Sequence, residues 1–186
     1  MSAGPAFHAK LGVRALRAMA AAGLIAPIRP DRLARMAGAP LRLGMGPATI
    51  VAASAARDPD HPALIDERGT LTYGELDRRA AALAAGLVSD FGVGAERALG
   101  VMCRNHRGFV EAVLAGSRCG ADLLLLNTEF SGRQLREVLE RERPGAVVHD
   151  EEYADAFEEA GLGDRPRVRA PHCNPCISVG PCLNPG

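Results

Sequence analysis

The chain has 186 residues, 47% of them apolar and 24% charged, and its 22 basic side chains balance 22 acidic ones. That excludes a disordered chain and supplies enough apolar side chains for one real core, while a neutral total gives no electrostatic footprint for nucleic acid. No run of about eighteen apolar residues occurs, so the sequence gives no ground for a membrane span.

The charge is uneven. The first fifty residues hold seven basic side chains and one acid, Asp31. Within them Lys10, Arg14 and Arg17 fall on one face of an expected helix, and Leu11, Ala15, Met19 and Ala22 fall on the other. A basic amphipathic helix spanning residues 8–26 either docks on its own domain with its charges in water or makes peripheral contact with an anionic membrane. The stretch "AMAAAGLIAPI" is too weakly apolar to favour a secretory signal. "IRPDRLARMAGAPLRLGMGP" reads as an irregular Pro/Gly/Arg connector with one short helix, which completes a basic arm over residues 1–47.

From Ala48 the pattern becomes regular. Ala63 to Ile65 and Leu71 to Tyr73 flank a charged "DERG" turn, as in a hairpin. Thr72 and Glu75 form a capping box, and Leu76, Ala80, Leu83 and Leu87 continue at helical spacing to about Asp90. "ALGVMC" at 98–103 reads as a strand, with Asn105 capping a helix that stops near Gly120. "DLLLLN" at 122–127 reads as a strand covered on both faces, followed by a Ser131/Gln134 capping box and a helix that ends at "RPG". "AVVH" at 146–149 is a third strand, and Asp150 is expected to cap a last helix through Tyr153 and Phe157. The fold class is α/β: a three-stranded parallel unit with a small hairpin.

Few residues on this frame suggest chemistry. The turn "RNHRG" lacks the close glycines of a pyrophosphate-binding loop, and Lys10 is the single lysine, so no Gly-rich loop ends in Lys. His106 reads as a capping or packing residue rather than an acid or base. Arg104 and Arg107 stand where open α/β sheets bind ligands, yet an ion-paired role is the commoner one. Asp150, Glu151 and Glu152 suit the first turn of a helix through its dipole. Phe109, Tyr153 and Phe157 read as core. Cys103 and Cys119 fit small buried apolar groups in a reducing, cytoplasmic setting.

Several of these stretches carry a resemblance. "LTYGEL", "RNHRGFV" and "GADLLLLNTEFSGRQL" occur in the order found in the adenylate-forming, AMP-binding acyl-CoA synthetases, and the last two resemble the bacterial long-chain fatty-acyl-CoA ligases. The resemblance covers residues 48–165. It implies the amino-terminal part of that family's large domain, and a reaction in which ATP and a fatty acid give an acyl-adenylate that coenzyme A then captures, with Mg²⁺ on the phosphates. The family's Ser/Thr/Gly-rich loop ending in Pro-Lys-Gly, its Tyr-Thr-Glu segment, its ribose-binding Asp and its carboxy-terminal lysine have no counterpart in the sequence, so no catalytic, cofactor-binding or metal residue carries over.

Residues 166–186 read differently. "APHCNPCISVGPCLNPG" places His172, Cys173, Cys176 and Cys182 close together, but His172 and Cys173 are neighbours and no second ligand pair follows at zinc-site spacing. No acid follows Asp164. The expectation is a Pro/Cys-rich, non-native or disordered tail with a break near Ala170, on a truncated and inactive ligase whose open sheet edge favours self-association. A non-catalytic module that pairs with a full-length ligase, and a zinc-binding adaptor, stand as alternatives.

Overall fold

The computed structural model describes residues 28–161 and 167–170. The amphipathic stretch at 8–26 and the His172, Cys173, Cys176 and Cys182 cluster lie outside them.

Two helices open the described chain, the first filling most of a stretch expected to be an irregular connector with one short helix. Helix α1 (Pro30–Leu43) begins with Pro in its first turn, where a missing N–H costs nothing, and Asp31 bonds Arg35 at 3.1 Å one turn later. The Pro and Gly content hid the length of this helix, because Pro40 sits inside it. Helix α2 (Pro47–Arg57) follows the extended Gly46, and the two helices pack on each other. The described end of the expected arm is thus a helix over Pro30–Leu43, and it packs on α2, which follows the arm.

The hairpin pairs β1 (Pro62–Asp66) with β2 (Gly69–Thr72) in antiparallel register. Gly69 holds a φ of 103°, which a side chain would strain. Helix α3 (Tyr73–Phe91) starts with the expected capping box: Thr72 N–H donates to Glu75 Oε2 at 2.9 Å and Glu75 N–H to Thr72 Oγ1 at 3.3 Å.

The remaining elements alternate. Strand β3 (Leu99–Met102), helix α4 (Arg107–Cys119), strand β4 (Leu123–Leu125), helix α5 (Gly132–Glu142), strand β5 (Ala146–His149), a 3-10 turn (Glu151–Tyr153), helix α6 (Ala154–Glu159) and strand β6 (Arg167–Arg169) follow in order. The sheet is parallel with order β4-β3-β5-β6, so a fourth strand joins the three expected. Residues 167–169, assigned to the tail from sequence, pair with β5, and the Ala170 N–H donates to His149 O at 2.8 Å.

Alternation along the strands builds two cores. Leu99, Val101, Ala146 and Val148 face Leu83, Leu87, Ala112 and Ala115 of α3 and α4. Met102 and Val147 face Leu135, Leu139 and Phe157 of α5 and α6 on the other side. Gly116 lets α4 lie close to the sheet, since a Cβ there would meet Leu123 Cδ2 at 2.5 Å. Ion pairs Arg79–Glu111 at 2.5 Å and Arg118–Asp77 at 2.6 Å tie α4 to α3. In strand β4 Leu123 and Leu124 pack against the two cores, as expected of a strand covered on both faces, but Leu125 is 59% exposed, and among the described residues β4 is an edge strand.

Candidate functional site

Strands β3 and β5 are neighbours, but the chain leaves β3 toward α4 on one face and leaves β5 toward α6 on the other. Their carboxyl ends thus flank a topological switch point, the place where open α/β sheets bind ligands. Arg104, His106, Asp150 and Glu152 converge there, while Arg107, the residue after His106, pairs with the hairpin.

Asp150 is the centre of this cluster. It is 3% exposed, and its Oδ2 accepts from the Arg104 N–H at 2.8 Å while its Oδ1 lies 2.8 Å from His106 Nε2. His106 Nδ1 accepts from the Gly108 N–H at 2.9 Å. An accepting Nδ1 carries no proton in the neutral ring, so Nε2 bears the hydrogen and donates it to Asp150. His106, not Asn105, is the cap of α4, as its extended backbone shows. Asp150 does precede the 3-10 turn, but its carboxylate makes no side-chain cap there and reaches back across the switch point instead.

The arginines are held by carboxylates. Arg104 makes a forked pair with Glu152, Nε at 2.5 Å from Oε1 and Nη2 at 2.8 Å from Oε2. That bond raises its already high pKa, so the guanidinium stays charged. Arg107 forks onto Asp66 of β1 and its Nη2 also donates to Gly69 O at 3.2 Å, which pins the hairpin to the start of α4. The Arg107 guanidinium holds the Asp66 carboxyl well below the usual carboxylate range. Sequence reasoning missed Asp66, whose one signal was its place in the charged "DERG" turn.

Below the crevice the strands end in core. Cys103 is 8% exposed and its thiol donates to Val148 O at 3.8 Å; burial, with the charge of Asp150 behind it, pushes the thiol pKa far up. The His149 ring packs on Phe157 with centroids 4.7 Å apart, and its Nδ1 lies 2.9 Å from the backbone oxygen of Asp150. Phe157 is core, as expected, while Phe109 and Tyr153 are partly buried against the two core clusters.

A triphosphate does not fit these residues. Both guanidiniums at the switch point are already neutralised by carboxylates, and the "RNHRG" turn makes no glycine cradle. Among the described residues no three His, Cys, Asp or Glu side chains come together as a metal-binding group. No helix among them is long and apolar enough to cross a membrane. The arrangement is a latch that joins β3, β5 and the hairpin.

Comparison with known proteins decides the family. The model of the family described as AMP-binding enzyme matches residues 51–185. The chain belongs to the adenylate-forming, AMP-binding acyl-CoA ligase family. A medium/long-chain-fatty-acid–CoA/3-oxocholest-4-en-26-oate–CoA ligase of Mycobacterium marinum is 35% identical over 111 residues, which are 60% of this chain and 20% of the relative. A 4-hydroxybenzoate–CoA/benzoate–CoA ligase of Rhodopseudomonas palustris is 30% identical over 118 residues, 63% of this chain and 21% of that protein. A structure described as a long-chain-fatty-acid CoA ligase from Rhodopseudomonas palustris superimposes with a TM-score of 0.59 at 28% identity, covering 66% of this chain and 32% of the other. The chain thus spans about a fifth of the length of these two curated ligases. It is related to bacterial medium- and long-chain fatty-acid–CoA ligases, and its parallel sheet with an antiparallel hairpin corresponds to part of their large domain.

Proposed function

We propose that these 186 residues are the amino-terminal scaffold of a ligase that activates a medium- or long-chain fatty acid with ATP and passes the acyl group to coenzyme A. The carrying observation is the match to the family model across residues 51–185, together with 35% identity to a fatty-acid–CoA ligase. On this reading the chain alone does not turn over, because a developing phosphate charge needs donors and a cation aimed at it, and the charged groups at the switch point bond one another instead. The contribution of this portion is mechanical: the Asp150 and Asp66 latches fix the carboxyl ends of the strands against which the phosphate-binding segments of a ligase would be built.

Sequencing the coding DNA across the codons for Ala170 and Pro171 and on past Gly186 tests the proposal. A frame that resumes with a Ser/Thr/Gly-rich loop ending in Pro-Lys-Gly is expected, and the protein it encodes should catalyse fatty-acid-dependent exchange of pyrophosphate into ATP. No such frame, or exchange by the 186-residue chain alone, would overturn it.

A further inference from the structure

A second cationic cluster lies away from the switch point. Helices α1 and α2 pack on each other, and both also contact α4. Between them and the body is a cleft of about 290 Å³ whose charged lining among the described residues is Arg35, Arg42, Arg118 and Asp77. Three guanidiniums face one carboxylate. Ala52, Ala55 and Ala56, one helical turn of α2, form a wall whose short side chains leave the space open.

The three arginines differ in how far they are satisfied. Arg118 donates to Asp77 at 2.6 Å, and Arg35 bonds Asp31 on its own helix at 3.1 Å. Arg42 has no acidic partner among the described residues; its Nε donates to Gly38 O at 3.3 Å within α1. The cleft therefore holds a surplus of positive charge with one guanidinium whose remaining N–H groups have no carboxylate to meet. A planar guanidinium fork matches the oxygens of phosphate, and two such forks around one anion are stronger than one.

Position separates this cleft from the switch point. Arg107 and Arg118 stand at opposite ends of α4, roughly 16 Å apart at the helical rise, and Arg107 directly follows His106 of the switch-point cluster. Next to Arg42, Leu41 is 90% and Met45 is 91% exposed. Apolar side chains that flank a cation suit a phosphate carried on a lipid as well as a free one.

We propose that this cleft binds a phosphate group, held by Arg42 and Arg118 with Arg35 at the rim. The test uses the intact chain and two probes: inorganic phosphate followed by ³¹P line broadening, and flotation with phosphatidylglycerol vesicles against phosphatidylcholine vesicles. Binding of either probe should weaken about tenfold in Arg42→Gln, stay unchanged in Arg133→Gln at an exposed position of α5, and strengthen in Asp77→Asn, which removes the one carboxylate that the described residues bring to the cleft. Strengthening in Asp77→Asn is the outcome that a purely structural role for these residues does not produce. Broadening by phosphate without flotation assigns a free anion; flotation only on the anionic vesicles assigns a lipid headgroup. If neither probe binds, or if Arg42→Gln, with the circular dichroism of the parent chain, binds as the parent does, the proposal is wrong.

Discussion

His106 and Asp150 are 44 residues apart in sequence, yet His106 Nε2 lies 2.8 Å from Asp150 Oδ1, and this bond ties the start of α4 to the end of β5. The same carboxylate receives the Arg104 N–H. Removing it in Asp150→Ala leaves a backbone N–H and an imidazole N–H without their acceptor at a site 3% exposed, which costs about 2–3 kcal/mol. Asp150→Asn keeps one acceptor oxygen and should lose less. Urea unfolding of the three proteins at pH 7 checks the order; equal midpoints would show that the latch contributes nothing.

The Asp66 pair adds a pH dependence. Its carboxyl is lowered from an ordinary value of 3.8 chiefly by the Arg107 hydrogen bonds, so the unfolded chain binds the proton more readily than the folded one. Stability from this pair is therefore complete above the ordinary value and is lost as pH falls through it toward the lowered one. Thermal unfolding between about pH 6 and pH 2.5 should show a declining midpoint, and Asp66→Asn should flatten part of that decline. Parallel curves for the two proteins would contradict the assignment.

How much of this was legible in the sequence follows from the range of each interaction. The capping boxes Thr72/Glu75 and Ser131/Gln134 join residues three apart, and both formed as expected. The same locality made Asn105 and Asp150 look like caps, whereas the cap is His106 and Asp150 bonds Arg104 across 46 residues. Pairing of Arg107 with Asp66 spans 41 residues and leaves no local trace beyond charge. Strand β6 is "RVR", too short and too charged to show a period, and it is recognisable only through its partner β5. The apolar run Leu123 to Leu125 implied cover on both faces, and Leu123 and Leu124 do pack against the two cores, but Leu125 is exposed because burial is set by neighbours that a local run does not reveal.

Close packing makes specific glycines intolerant. A Cβ at Gly108 would lie 2.8 Å from His106 Cε1 and 3.2 Å from Ala170 Cβ, so Gly108→Ala must displace the capping ring or the end of β6. A cost of about 1–3 kcal/mol is expected from overpacking, with faster amide exchange at Ala170, whose N–H donates to His149. Gly38→Ala, where no atom stands within 4 Å, is the control and should be neutral or slightly stabilising.

Thiol reactivity should report the core directly. Burial raises the pKa of Cys103 strongly and that of Cys119 less, so neither is a thiolate at neutral pH. Peptide mapping after brief iodoacetamide treatment of the native chain should find Cys103 unmodified, and treatment in urea should modify it fully. Rapid native labelling at Cys103 would mean that the β3 end is open.

The last expectation concerns the sheet edge. Strand β4 pairs only with β3 among the described residues, so its outer side presents unpaired N–H and C=O groups beside Leu125, which is 59% exposed. A flat apolar edge is a template for pairing with a second chain, and a lysine there is one device by which natural proteins block it. Size-exclusion chromatography with light scattering should show concentration-dependent self-association of the chain. Leu125→Lys should raise the monomer fraction without changing secondary structure, because the side chain already faces water. Ile65→Lys, an equally apolar and 77% exposed position on the hairpin, separates the edge from general surface apolarity. If it raises the monomer fraction as much as Leu125→Lys does, association follows exposed apolar area, and the β4 edge is not its site.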